Sequence, residues 1–247
     1  MGHPTAATAF DTQGSHALTR YAGSRRSLQW AIGWSRALLV LLALSLAAPA
    51  WAQSTARAAT QPVAKPRTVL VMGDSLSAAH GLASAQGWVA LTADRIAKSH
   101  PGWKVVNASI SGETTAGGAS RIGAELARHS PEVVVIELGA NDGLRGLPLA
   151  QTRENLDRMI RASKAAGARV LLVGMRMPPN LGARYTEGFA ANYTALADTH
   201  GVSLLPFLLE PIARDRANFQ ADNLHPVASA QPRLRDHVWP LLEPLLD

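Results

Sequence analysis

Five short apolar runs punctuate the chain after residue 66, and between them hydrophobic positions recur at helical spacing. Thr68–Met72, Lys104–Asn107, Val133–Leu138, Arg169–Gly174 and Val202–Pro206 are rich in Val, Leu and Ile. Runs that are apolar on both faces suit strands buried in a parallel sheet. Trp88, Leu91, Arg95 and Ile96 mark a first amphipathic segment, and Ile122 with Leu126 a weaker second one. Leu156, Met159, Ile160 and Ser163 mark a third that ends at Gly167, and Phe189, Tyr193, Leu196 and Ala197 a fourth that ends at His200 and Gly201. A last helix is predicted from Ala228 toward Leu245, bent or interrupted by Pro232 and Pro240. Strand and helix alternate about five times, which predicts an α/β fold: a three-layer α/β/α sandwich of flavodoxin-like type around a parallel sheet of about five strands.

The segment ahead of this pattern has a different character. Arg25, Arg26 and Arg36 precede an uncharged apolar run from Ala37 to Ala48, and "APAWAQ" follows with small residues at Ala50 and Ala52. A charged stretch, an apolar core and a small-residue site predict a cleavable signal peptide, cut after Ala52. The run is shorter than the roughly 20 residues that cross a bilayer, so no stable membrane span is expected after cleavage. "SRRSLQ" at Ser24–Gln29 has a faint twin-arginine character, which leaves the Sec and Tat routes both open. The organisation expected is an N-terminal extension and signal over 1–52, a flexible Ala-, Thr- and Pro-rich linker over 53–66, and one domain over 67–247, periplasmic or secreted.

Composition narrows the function further. The chain of 247 residues has a net charge of +6, but four arginines and one aspartate precede Gln53, and without them the balance is +3 with no run of like charges. That argues against nucleic acid as a partner. There is no cysteine, which excludes disulfides, thiolate metal sites and a lipid-modified N-terminal cysteine. Histidines 80, 100, 129, 200 and 237 show no metal-ligand spacing, so neither a metal nor a cofactor is expected.

The candidate chemistry lies where the predicted strands end. The first run closes in Gly73-Asp74-Ser75-Leu76-Ser77, the second leads into "NASISGETT" (107–115), the third into "LGANDG" (138–143), and "ADNLHP" with Asp222 and His225 follows the fifth. Ligands of open parallel sheets bind beyond the carboxyl ends of the strands, so all four motifs fall on the ligand-binding edge. Each has an ordinary alternative: "NDG" is a strong turn signal, Gly112 a loop glycine, and Gly-Asp-Ser a helix cap. Their joint occurrence at matching strand ends points to nucleophilic catalysis. A serine hydroxyl needs a base within hydrogen-bond reach, which His225 can supply while Asp222 holds the imidazole tautomer. Ser75 is expected at a strand-to-helix turn, near helix N-terminal amides. Ser77 is a rival nucleophile or a helix cap, and Asp74 a turn-stabilising carboxylate.

With these blocks, "GDSL" at Ser75, "SGET" at Gly112, "GAND" at Asn141 and "DNLH" at Asp222 and His225, the chain resembles the SGNH or GDSL-type hydrolases. Within that family it is most similar to the bacterial periplasmic acyl thioesterase, lysophospholipase and arylesterase group, through "NASISGET" and "NDGLRGLP". The resemblance spans about Arg67 to Leu246. It implies an SGNH hydrolase fold, a Ser75–His225–Asp222 triad that passes through an acyl-enzyme, and an oxyanion hole formed by the amides of Ser75 and Gly112 with the Asn141 side chain. The substrate class it implies is small acyl esters and thioesters, lysophospholipids among them; separately, a monomer is expected. The stretch "MRMPPNLGARY" brings Met175, Met177, Pro178 and Leu181 toward the same edge, and with Leu144 these are candidate acyl contacts. A carbohydrate acetyl esterase on the same fold is the alternative. A flavin or nucleotide carrier and a catalytically silent interaction module are the other classes considered. The first is disfavoured by the absence of G-x-G-x-x-G, the second by the presence of Ser75, Asn141 and His225.

Overall fold

The computed structural model describes residues 65–247, so the signal peptide and most of the linker lie outside the described residues. Five parallel strands form one sheet in the order β2-β1-β3-β4-β5, with β1 at Arg67–Gly73, β2 at Trp103–Asn107, β3 at Val133–Glu137, β4 at Arg169–Val173 and β5 at Ser203–Leu205. The three central strands are almost wholly buried. The edge strands are not, and in β2 only Trp103 is buried, so the expectation of burial on both faces holds only for the middle of the sheet.

Among the described residues six α-helices connect and cover the strands: α1 (Trp88–Ser99), α2 (Thr115–His129), α3 (Ala140–Leu144), α4 (Leu149–Ala165), α5 (Ala183–His200) and α6 (Gln231–Leu242). α1 packs with α6, while α2 packs on α4 and α4 on α5, which gives the two outer layers of the sandwich. Each long helix buries the stripe that its periodicity marks, for example Leu156, Met159 and Ile160 of α4 and Phe189, Tyr193 and Leu196 of α5. The last helix is divided as its prolines suggest. A 3-10 turn at Ala228–Ala230 leads into α6, Pro232 sits in the first turn where its missing N–H costs nothing, and Pro240 falls inside α6 shortly before the chain tightens into a second 3-10 turn at Glu243–Leu245.

Two local expectations fail. No helix follows Ser75: residues 75–81 form turns, closed by the Ala78 amide on the Asp74 carbonyl (2.9 Å) and the His80 amide on the Ser75 carbonyl (3.1 Å). Ser77 therefore caps nothing, and its hydroxyl donates to Glu137 Oε2 at 2.6 Å. "ANDGL", whose Asn-Asp-Gly predicts a turn, is instead the short helix α3.

The strand order reverses direction between β1 and β3. This is the topological switch point at which open α/β sheets bind ligands. The loops after β1 and β3 diverge there, and the segments after β2 and β5 approach from either side.

Candidate active site

Ser75 and His225 come from opposite ends of the domain, and their placement is set locally. The loop at 219–226 is closed by an antiparallel bridge between Phe219 and Pro226 and by the Gln220 amide on the His225 carbonyl (2.8 Å). Within it Asp222 Oδ1 accepts from the amides of Leu224 (2.9 Å) and His225 (3.0 Å), while Asn223 takes the left-handed conformation at φ 63°, which asparagine tolerates better than most residues. This Asx turn returns the chain so that the other Asp222 oxygen meets His225 Nδ1 at 2.7 Å, and His225 Nε2 meets Ser75 Oγ at 2.9 Å. The His225 imidazole and the two amides hold the exposed Asp222 carboxyl well below the usual carboxylate range, so Asp222 is ionised at neutral pH.

Gly112 and Asn141 line the same cleft of about 500 Å³ as Ser75 and His225. Gly112 adopts φ +81°, a backbone conformation open to glycine and strained for other residues. Its loop is held by three contacts. Arg145 Nη2 donates to the Gly112 carbonyl (3.1 Å), Asn141 Nδ2 donates to the Glu113 carbonyl (3.0 Å), and Arg121 Nε donates to the Glu113 carboxylate (2.7 Å). The second Asn141 amide proton points to Asp74 Oδ2 over a longer 3.3 Å. Leu144, Met175, Met177 and Pro178 join the cleft wall with Leu209, Phe219 and Leu224. Leu181 does not: it borders a separate depression beside Tyr185.

The match to a family model settles the chain's kinship. Residues 71–231 match the GDSL-like lipase/acylhydrolase family. The chain belongs to this family. Esterase TesA of Pseudomonas aeruginosa is 52% identical over 180 residues, which are 73% of this chain and 90% of that protein. Thioesterase 1/protease 1/lysophospholipase L1 of Escherichia coli K12 is 42% identical over 73% of this chain and 85% of its own length. A crystal structure of TesA superposes with a TM-score of 0.71 at 51% identity, covering 72% of this chain and 99% of that one.

Next to the cleft-lining residues of this GDSL hydrolase, three buried carboxyl groups occur that sequence patterns do not connect. Asp74, Glu137 and Asp142 are each at most 2% exposed. Asp142 is fully engaged, accepting from the Thr115 amide (2.8 Å) and hydroxyl. Glu137 ends β3 directly beneath the Gly73–Ser75 turn, where a Cβ on Gly73 would come within 2.8 Å of its Oε2, so only glycine allows this approach. Burial pushes Asp74 up to about 6, against the opposing pull of the Leu76 amide and His225. Burial, and then the Asp74 charge, holds Glu137 well above the ordinary glutamate range. Among the described residues no group of three or more His, Cys, Asp and Glu side chains is placed to hold a metal ion.

A carboxyl whose folded-state pKa exceeds its unfolded value binds its proton more tightly in the fold. Its contribution to stability therefore declines as pH rises from the unfolded value, 4.5 for glutamate, through the folded one. Glu137→Gln cannot ionise and keeps an acceptor for Ser77. Its melting temperature relative to wild type should rise by about 3 °C or more between pH 5 and pH 9. A difference that stays constant or shrinks would mean that Glu137 is already ionised in the fold at pH 5.

Proposed function

We propose that the chain hydrolyses acyl esters and thioesters through an acyl-enzyme, with Ser75 as nucleophile, His225 as general base and Asp222 as the residue that orients and charges the imidazole. The observation that carries this reading is the continuous chain Asp222 Oδ2–His225–Ser75 Oγ, at 2.7 and 2.9 Å. With Nδ1 facing an ionised carboxylate, the ring keeps its proton there and offers Nε2 as the acceptor for the serine proton. Ser75 Oγ then attacks the carbonyl carbon. The amides of Ser75 and Gly112 and the Asn141 side chain receive the developing oxyanion. His225 returns the proton to the leaving alkoxide or thiolate, and water repeats the sequence on the acyl-enzyme.

The cleft supports an acyl chain as the recognised part. Its apolar lining comes chiefly from Leu, Met and Pro, with Phe219 the one carbocyclic aromatic ring among the lining residues, so there is little platform for stacking a sugar. Lysophospholipid fits the same description: one acyl chain in the cleft and a polar head outside. A panel of p-nitrophenyl esters and acyl thioesters of graded chain length tests this. kcat/KM should rise from acetyl toward medium chains, since each buried methylene adds about 0.8 kcal/mol, roughly four-fold. A preference for acetylated polysaccharide over every longer acyl ester would support the acetyl esterase reading instead.

The setting we propose is the periplasm or the medium, with a mature chain that begins near Gln53 and works as a monomer, since all of the proposed machinery comes from one chain. Among the described residues no helix is long and apolar enough to cross a membrane. N-terminal sequencing of exported protein should start close to Gln53. An intact Met1 on exported material would overturn the cleavage site.

A further inference from the structure

His80 lies in the cleft wall, and its ring centroid is 4.3 Å from that of His225, with the planes inclined by 39°. We propose that His80 is a positioning residue for His225, packing its tilted ring against the general base to fix it and to stabilise the imidazolium that forms as Ser75 loses its proton. The inference rests on the reading of His225 as that base.

The contact is built by the backbone on both sides. His80 donates its amide to the Ser75 carbonyl at 3.1 Å, and its own carbonyl accepts from Gln220 Nε2 at 2.8 Å. The Gln220 main-chain amide meanwhile holds the His225 carbonyl at 2.8 Å, so one residue ties the two histidine-bearing segments together. The turn that presents His80 departs from ordinary geometry on either side. Ala79 is left-handed at φ 58° although it carries a Cβ, and Gly81 follows at φ +75°, where a Cβ would lie 2.3 Å from Gln220 Oε1. A left-handed alanine costs about 1–2 kcal/mol, and such strain persists only where the surroundings enforce it. Here the enforced result is a ring laid against His225.

An aromatic face near a cation is attractive, and the imidazole of His80 offers that face to the His225 imidazolium. The charged groups around His225 are Asp222 of its own loop, bonded to Nδ1, Asp74 beneath the nucleophile turn, and Arg176, which lines the same cleft. The Gln220 amide, the other side chain bonded to the His80 segment, is neutral.

Three variants separate this role from simple packing. His80→Ala should lower kcat/KM on a soluble p-nitrophenyl ester about five-fold, as expected for one cation–π contact. It should also move the acid limb of the pH profile to lower pH, because the imidazolium has lost its partner. His80→Phe restores a ring face and should recover both the plateau and the position of the acid limb. His225→Ala is the control for the underlying reading, and its loss of turnover is expected whatever His80 does. Retained turnover in His225→Ala would defeat the assignment of the base. A His80→Ala variant with wild-type turnover and acid limb would overturn the positioning role, as would a lowered plateau with an unmoved limb, which is what a packing defect alone produces.

Discussion

Ser75→Ala should yield a folded protein with turnover reduced by more than about 10⁴-fold and no labelling by an organophosphonate. The reasoning is specific to this turn. The Ser75 hydroxyl makes its side-chain contact with His225 and is half-buried at the cleft, so removing one oxygen should change stability by no more than about 1 kcal/mol. The neighbouring hydroxyl cannot substitute. Ser77 is 1% exposed and its proton is committed to Glu137, which places it beneath the turn rather than in the cleft. Kinetics and phosphonate labelling, each normalised to the folded fraction from a thermal melt, check the result. A folded variant that still turned over within ten-fold of wild type would remove Ser75 from the reaction.

That contrast between two serines in one turn shows what the sequence could and could not convey. Every central strand was legible, because Val69–Met72, Val133–Ile136 and Val170–Val173 must be apolar on both faces to lie between two helix layers. The long helices were legible from their buried stripes. Local turn chemistry was misleading where tertiary contacts override it. Asn141-Asp142-Gly143 forms a helical turn because Asp142 is bound by Thr115, an interaction that no window around residue 141 contains. The helix expected after Ser75 is absent because Glu137 takes the Ser77 hydroxyl and Asn107 Nδ2 takes the Ser77 carbonyl at 2.8 Å, fixing the segment as turns.

The candidate site divides in the same way. Ser75, Gly112, Asn141, Asp222 and His225 stand in short motifs at strand ends, so their convergence followed from the topology of a parallel sheet. The supporting groups carry no such mark. Glu137 looks like the last residue of an apolar strand, Gln220 like a loop polar residue, and His80 like a histidine without ligand spacing. Each acquires meaning from a partner distant in the chain: Ser77 for Glu137, the carbonyl of His80 for Gln220, and the ring of His225 for His80. Arg121 and Arg145 belong with them, since they hold the Glu113 carboxylate and the Gly112 carbonyl of a loop that lines the cleft.

Those two arginines make Asn141→Ala interpretable. The Asn141 amide does two things in the resting site: it holds the Glu113 carbonyl at 3.0 Å and points its second proton at Asp74 over 3.3 Å. The second bond is the weaker, so this is the proton that a developing oxyanion would draw away. Removing the side chain loses both bonds, yet the loop stays tethered by Arg145 on the Gly112 carbonyl and by Arg121 on Glu113. The nucleophile and base remain in contact. Acylation and phosphonate labelling should therefore persist but slow, and kcat should fall by roughly 100- to 1,000-fold with KM little changed, the cost of one oxyanion donor. Arg145→Ala is the companion measurement. It loosens the same loop without removing a donor to the oxyanion, and should lower kcat by less than about ten-fold. If Asn141 served only to staple the loop, the two variants would lose activity to a similar extent, and near-wild-type turnover in folded Asn141→Ala would end its assignment as an oxyanion donor.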